Sequence, residues 1–336
     1  MDYDLVGIGN ALVDIEVCVE DAFVQKTGLT KGGMTLFSQE DQKRVLDTLG
    51  DNPRKISSGG SAANTLHGFS VLGGSAYYFG RVASDSFGRH YSEDMKLCGV
   101  GFSGPGAEPH GTGTCLVLIT PDSERTMLTH LGISSLLHPE NVDETILRNA
   151  KMVYIEGYLW TGDETRAAAT VLAQAAKKNG LPVALTLSDA FVVNTCKPAL
   201  VDFIRWNVDI LFCNEAEALA MVGTDCLDTA FQALQAMASM VFMTLGARGS
   251  WATANGEGKI VTDVFPVRPV DTTGAGDLFA AGVLYGLIRD YNLKEAAILG
   301  SYCAAQVITH MGARMPVHSH TRVSEILAVY RARKAE

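Results

Sequence analysis

Five apolar runs of strand length, "LVGIGN" (5–10), "MVYIEGYLW" (152–160), "PVALTLS" (182–188), "VDILFCN" (208–214) and "MVFMTLG" (240–246), alternate with stretches of helical period at 163–180, 198–206, 214–222 and 226–239. A strand that returns beside its predecessor in the same direction needs a long crossover, usually a helix. The alternation therefore implies βαβ units and an α/β chain whose mainly parallel sheet is covered on both faces. At 336 residues the chain exceeds the usual size of one core, so a large body with an appendage, or two domains, is expected. Two stretches break the alternation, 13–37 and 108–131, both short-stranded and punctuated by turns. They are expected to pair as a small β lid over a body made of 1–12, 38–107 and 132–336; the alternative is two local hairpins on the body surface. Near the C-terminus, 273–288 and 295–312 read as Ala- and Gly-rich helices packed closely together, and an amphipathic helix at about 319–334 closes the chain.

Charge narrows the partners. Thirty-seven acids against 27 bases give a net charge of −10, and only the terminal "RARK" gathers bases. Duplex nucleic acid needs a basic face, so no nucleic-acid partner is expected. The longest apolar window, 278–288, is too short to span a bilayer, and "MDYDLVGIGN" lacks the features of a secretory signal, so no membrane association is expected. The seven scattered cysteines fit reduced thiols in a cytoplasmic protein. Walker's phosphate loop, H-E-x-x-H and G-x-S-x-G are absent, and "HSH" at 318–320 reads as a surface cap.

Four stretches carry chemistry. In "VDTTGAGDLFAAGV" (270–283), Gly274 and Gly276 bring bare backbone to the start of an apolar helix, where unpaired N–H groups and the helix dipole suit an anion. Asp277 stands beside them, placed either as a general base or simply as an acid at the third position of a helix. In "VDILFCNEAEA" (208–218), Asn214 and Glu217 have the spacing of oxygen ligands that hold Mg²⁺ through its water shell, and equally of a capping box. In "SSGGSAANT" (57–65), Gly59 and Gly60 suit close approach to a sugar face with Asn64 bonding its hydroxyls; an ordinary turn capped by Ser61 is the alternative. In "GIGNALVDI" (7–15), Asn10 and Asp14 leave the first strand, and the dinucleotide fingerprint lacks its third glycine.

Taken in order with "GTGTCLVLIT", "YIEGYLW", "LTLSDAFVV" and "AAQVITHMGA", these stretches resemble the ribokinase-like carbohydrate and nucleoside kinases, and within them the adenosine kinases, over nearly the whole chain. The resemblance implies a three-layer α/β/α body with a β-sheet lid. It implies that Asp277 is the catalytic base, with Gly274, Ala275 and Gly276 as its anion hole, and that Arg125 closes from the lid over the transferred group. Asn10, Asp14, Gly59, Gly60 and Asn64 would line the sugar pocket, and Leu36, Met127, Leu131, Tyr158 and Phe191 the pocket for a flat base. Asn214 and Glu217 would organise Mg²⁺ and phosphates, Thr244, Gly246 and Gly249 would meet the nucleotide, and Asp271 and Thr273 would lie near a monovalent cation such as K⁺. One departure is "GGMTLF", with Met34 and Thr35 where adenosine kinases commonly carry a glutamine.

The expected activity is ATP-dependent, Mg²⁺-requiring phosphorylation of a nucleoside 5'-hydroxyl, adenosine to AMP. The alternatives are a sugar kinase acting on ribose, fructose or a related sugar, and a non-catalytic nucleoside or nucleotide sensor. Both a monomer and a homodimer fit the sequence.

Overall fold

Leu5–Ile8 is buried at every position and pairs in parallel with Met152–Glu156 on one side and Ala76–Phe79 on the other. The computed structural model, which describes residues 2–52, 54–106, 110–122, 124–315 and 323–335, extends this pairing into a nine-stranded sheet. From one edge the order is Ile260–Thr262, Ser250–Ala254, Met240–Thr244, Ile210–Asn214, Val183–Thr186, Met152–Glu156, Leu5–Ile8, Ala76–Phe79 and Val100–Phe102. Only the first two of these run antiparallel to their neighbours. Alternate residues of the strands feed two cores. Val6, Val153, Leu185, Leu211 and Val241 pack with the helices Asp163–Lys178, Ala190–Asn207, Glu215–Val222 and Leu227–Gln235. Leu5, Tyr154, Ala184, Phe212 and Phe242 pack with Ser61–Val71, Ser86–Leu97, Ala275–Ile288 and Leu293–Val307. The three-layer body follows from period-two burial on both faces.

The last two of those helices meet through glycine, as their composition predicts. A Cβ at Gly282 would lie 2.5 Å from the Leu299 carbonyl oxygen, and one at Gly300 2.7 Å from that of Phe279.

Boundaries differ in three places, each for a local reason. The helix expected at 198–206 begins at Ala190, because Asp189 caps it by accepting the Phe191 N–H at 2.7 Å and the helix carries Pro198 in its interior. The run 152–160 is strand only to Glu156 and then coils into a 3₁₀ turn, Gly157–Thr161. The helix expected at 295–312 spans Leu293–Val307; residues 308–312 turn back, the Ile308 carbonyl accepting from Val270 N at 2.7 Å and Gly312 N donating to Asp271 Oδ2 at 2.8 Å. The closing helix is described over Val323–Ala335, and the expected start at 319 and the motif at 318–320 lie outside the described residues.

A second sheet, Met34–Leu36, Arg125–His130, Gly113–Ile119, Leu12–Cys18 and Lys55–Gly59 in that order, covers the carboxyl ends of the body strands. It draws in Lys55–Gly59 and the helix Gln39–Thr48, which the sequence reading assigned to the body. Gln42 of that helix is buried and donates to the carbonyls of Thr114 (3.1 Å) and Leu128 (2.9 Å), so it belongs to the sheet it packs on. All seven cysteines are free thiols. Among the described residues no helix is long and apolar enough to cross a membrane.

Candidate active site

Between the two sheets lies a cavity of about 560 Å³ whose floor is the carboxyl ends of the parallel strands and the start of helix Ala275–Ile288, and whose roof is the smaller sheet. The crevice beyond strand C-termini is where open α/β sheets place ligands.

Asp277 lines this cavity, half-buried in the first turn of the helix. Ser61 Oγ donates to its Oδ1 at 2.7 Å and Asn64 Nδ2 to its Oδ2 at 3.0 Å. Enclosure by protein raises its pKa above the usual carboxylate value; those two donors and the Arg125 charge act against that rise. Ser61 thus serves the acid and does not cap its own helix, whose N-cap is Gly60. Beside Asp277, the N–H groups of Gly274, Gly276 and Asp277 meet no protein acceptor among the described residues. Ala275, expected to contribute an amide, differs: its N–H is taken by the Thr272 carbonyl at 3.3 Å as the chain tightens into the helix.

Asn214 and Glu217 also line the cavity, and they form the complete capping box. Asn214 Oδ1 accepts from Glu217 N at 2.9 Å, while Glu217 accepts Asn214 N at 3.0 Å and Nδ2 at 2.6 Å. Capping and site are the same arrangement here. Burial pushes Glu217 up to about 8 against the pull of the Asn214 N–H, and the charges of Asp189 and Asp277 add to the rise. Among the described residues five acids, Asp14, Glu156, Asp189, Glu217 and Asp277, line the cavity against two cations, Arg125 and Lys31, the latter already paired with Asp21 and Asp122 at 2.6 Å each. That surplus of desolvated oxygen fits Mg²⁺. With both Glu217 oxygens accepting from Asn214, the ion would be held through water rather than by direct ligation.

Asn10, Asp14, Gly60 and Asn64 also line the cavity. Gly60 holds φ 93°, and a Cβ there would strike the Asn10 carbonyl. Gly59 is not in the lining; it leaves room for the Asp14 carboxylate packed against it. Burial raises Asp14 to about 7, helped by Glu16 nearby and opposed by Arg314 and Arg125. The group that sequence reasoning missed is Glu156. It is fully buried, accepts from Asn10 N (2.6 Å), Asn10 Nδ2 (3.0 Å) and Ala62 N (2.8 Å), and is raised by burial to about 7. Its signal was a lone acid ending an apolar strand run.

Leu36, Met127 and Leu131 line the cavity from the lid, Arg125 reaches in from the same sheet, and Tyr158 lines it from the body, in the turn Gly157–Thr161. Phe191 stays outside the lining, on the first turn of its helix and 38% exposed. Thr244 lines the cavity, but Gly246 and Gly249 do not; they make the tight turn after it, at φ 57° and 88°. Asp271 is fully buried and braces a loop: it accepts from Thr273 N (2.9 Å), Thr273 Oγ1 (2.5 Å) and Gly312 N (2.8 Å). These protein donors occupy both oxygens of the Asp271 carboxylate. Among the described residues no three His, Cys, Asp or Glu side chains cluster as a metal site.

The buried acids set a pH dependence. A carboxyl whose folded pKa lies above its unfolded value holds a proton that the unfolded chain has already released. Its contribution is therefore complete below about pH 4 and lost as pH climbs to about 7 for Asp14 and Glu156 and about 8 for Glu217. The ligand-free protein should show urea midpoints that fall between about pH 5 and pH 8, and Glu217→Gln should flatten the upper part of the fall. Equal slopes for the two proteins would contradict this.

Three comparisons bear on the arrangement. A family model described as pfkB family carbohydrate kinase matches residues 37–320. The chain is 31% identical to the adenosine kinase of Saccharomyces cerevisiae, covering 94% of this chain and 98% of that one. Its fold superposes with a TM-score of 0.91 on the adenosine kinase of Sinorhizobium meliloti (35% identical, 100% of both chains). The same TM-score is reached with a probable sugar kinase of Rhizobium etli CFN 42 (34% identical, 99% of this chain and 98% of that one).

Proposed function

The chain belongs to the pfkB carbohydrate kinase family, and from that premise we propose that it transfers the γ-phosphoryl group of ATP to the 5'-hydroxyl of a nucleoside, adenosine first, giving AMP and ADP. The observation that carries the reading is the pairing of a half-buried carboxylate, Asp277, with the unpaired N–H groups of Gly276 and of Asp277 itself, at a helix start inside the cavity. A base and an anion-binding site are neighbours there by construction, and phosphoryl transfer is largely a matter of such positioning.

In this reading Asp14 and Asn10 hold the ribose hydroxyls, Tyr158, Leu36, Met127 and Leu131 enclose the base, and the acceptor hydroxyl lies against Asp277. Asp277 accepts the hydroxyl proton as the oxygen attacks. The free amides and Arg125 stabilise the charge on the transferred group, and the lid excludes water. Mg²⁺, when bound through water beside Asn214 and Glu217, neutralises phosphate charge. The environment of Asp277 suits its task, since burial brings the pKa of a carboxylate nearer neutrality, where a base is both ionised and able to take a proton.

A sugar acceptor is the second reading, favoured by the equal structural likeness to the probable sugar kinase. The polar end of the cavity would grip either. The aromatic Tyr158 and the apolar lid residues that line the same cavity favour a flat ring, which offers stacking area that a hydroxylated sugar does not. ADP release from ATP and Mg²⁺ over a panel of nucleosides, ribose and fructose separates them. Adenosine should support the highest kcat/KM; a free sugar exceeding every nucleoside would replace the first reading with the second.

A further inference from the structure

Asn64 gives its amide nitrogen to Asp277 at 3.0 Å. The two ends of a carboxamide are nearly the same size, and turned about it would set its carbonyl oxygen against the carboxylate, exchanging a donor for a repulsion. Some other group must hold it one way round. Arg314 does so: its Nε donates to Asn64 Oδ1 at 3.2 Å, and a guanidinium has only donors to offer.

Arg314 is itself held on several sides. Its Nη1 bonds the Asp94 carboxylate of helix Ser86–Leu97, its Nη2 reaches Met95 Sδ at 3.8 Å, and its guanidinium lies 5.7 Å from the Tyr91 ring centre. Only 11% of the side chain is exposed. The loop that carries it is pinned on two sides, by the loop before helix Ala275–Ile288 and by the lid sheet. Gly312 N bonds Asp271, and Lys55 of the lid donates to the Met311 carbonyl at 2.5 Å.

We propose that Asp94, Arg314 and Asn64 form a positioning chain for the proton-accepting carboxylate, in which Arg314 fixes the orientation of the Asn64 amide and thereby one of the two donors that aim Asp277. The inference rests on the kinase reading but not on which acceptor is used. Arg314 lies 250 residues from Asn64 in sequence, and it acts through that residue without touching the reacting atoms.

The test is steady-state kinetics of the full chain with ATP and Mg²⁺, varying the acceptor. Losing one hydrogen bond to an ionised partner corresponds to roughly a tenfold to a hundredfold fall, expected for Arg314→Met in kcat, with a smaller change in acceptor KM. Arg314→Lys keeps a donor and should recover most of the loss. In an Asn64→Leu background, Arg314→Met should cost little more. Wild-type kcat in Arg314→Met, a loss confined to KM, or an undiminished loss beside Asn64→Leu would overturn the proposal. Should Arg314→Met fail to fold, Asp94→Asn decides: it keeps Arg314 but frees it, and is expected to lower kcat severalfold, again suppressed by Asn64→Leu. Wild-type kcat in Asp94→Asn would then refute the chain. A wild-type protein that releases no ADP with any acceptor would refute the kinase reading instead.

Discussion

Asp277→Asn is expected to lower kcat by roughly 10² to 10⁴, the range that general-base catalysis supplies, while acceptor binding and the fold persist. The reasoning starts from the carboxylate's partners. Ser61 Oγ and Asn64 Nδ2 donate to its two oxygens. An asparagine keeps one acceptor for them and loses the ability to take a proton at pH 7. Stability should not suffer. The folded environment raises the pKa of Asp277, so the ionised form is the one folding disfavours, and removing the charge relieves that cost at neutral pH. A thermal midpoint at or above that of the wild type, together with the fall in kcat, is the expected pair. Undiminished turnover would assign the base elsewhere, and a collapsed fold would make Asp277 a structural acid.

The glycine-flanked helix start that carries Asp277 was legible in the sequence, since two glycines there are a local pattern that backbone chemistry can interpret, while the choice between a base and a helix-terminus acid was not. The body was visible for a similar reason, since strands buried on both faces write continuous apolar runs. What escaped was non-local or doubly determined. Asn214 and Glu217 satisfy the capping box and line the cavity at once, so spacing alone could not divide the readings. The helical period was read only from 198, and Asp189, capping one residue before Ala190, shows that the helix begins earlier. Glu156 carries no periodic signal, yet it ties the first strand's exit at Asn10 to the helix start at Ala62. Arg314 reaches its partner across 250 residues. Local grammar names the candidate groups of the cavity; the residues that bond them arrive from distant loops, where side-chain chemistry gives no hint of what will be near.

The two glycines flanking Ala275 make the distinction testable, because the same residue type is present for opposite reasons. Gly274 holds φ 74°, and a Cβ there would lie 2.6 Å from the Ala313 carbonyl oxygen. Its glycine belongs to the fold. Gly276 has ordinary helical backbone, and a Cβ added to it would meet nothing within 4 Å. No packing demands glycine there, and a helix pays for it: replacing glycine by alanine at a compatible position stabilises by about 0.4–1 kcal/mol. Gly276→Ala should therefore raise the urea midpoint while lowering kcat by roughly 10² to 10³, the loss expected when a preorganised donor can no longer approach the charge it serves. Gly274→Ala should lower the midpoint, since a left-handed alanine alone costs about 1–2 kcal/mol of stability. The opposite signs at positions two residues apart are the diagnostic. If Gly276→Ala were more stable and fully active, the open N–H beside Asp277 would not be where the phosphoryl oxygens lie, and the anion site would have to be sought elsewhere along the cavity floor.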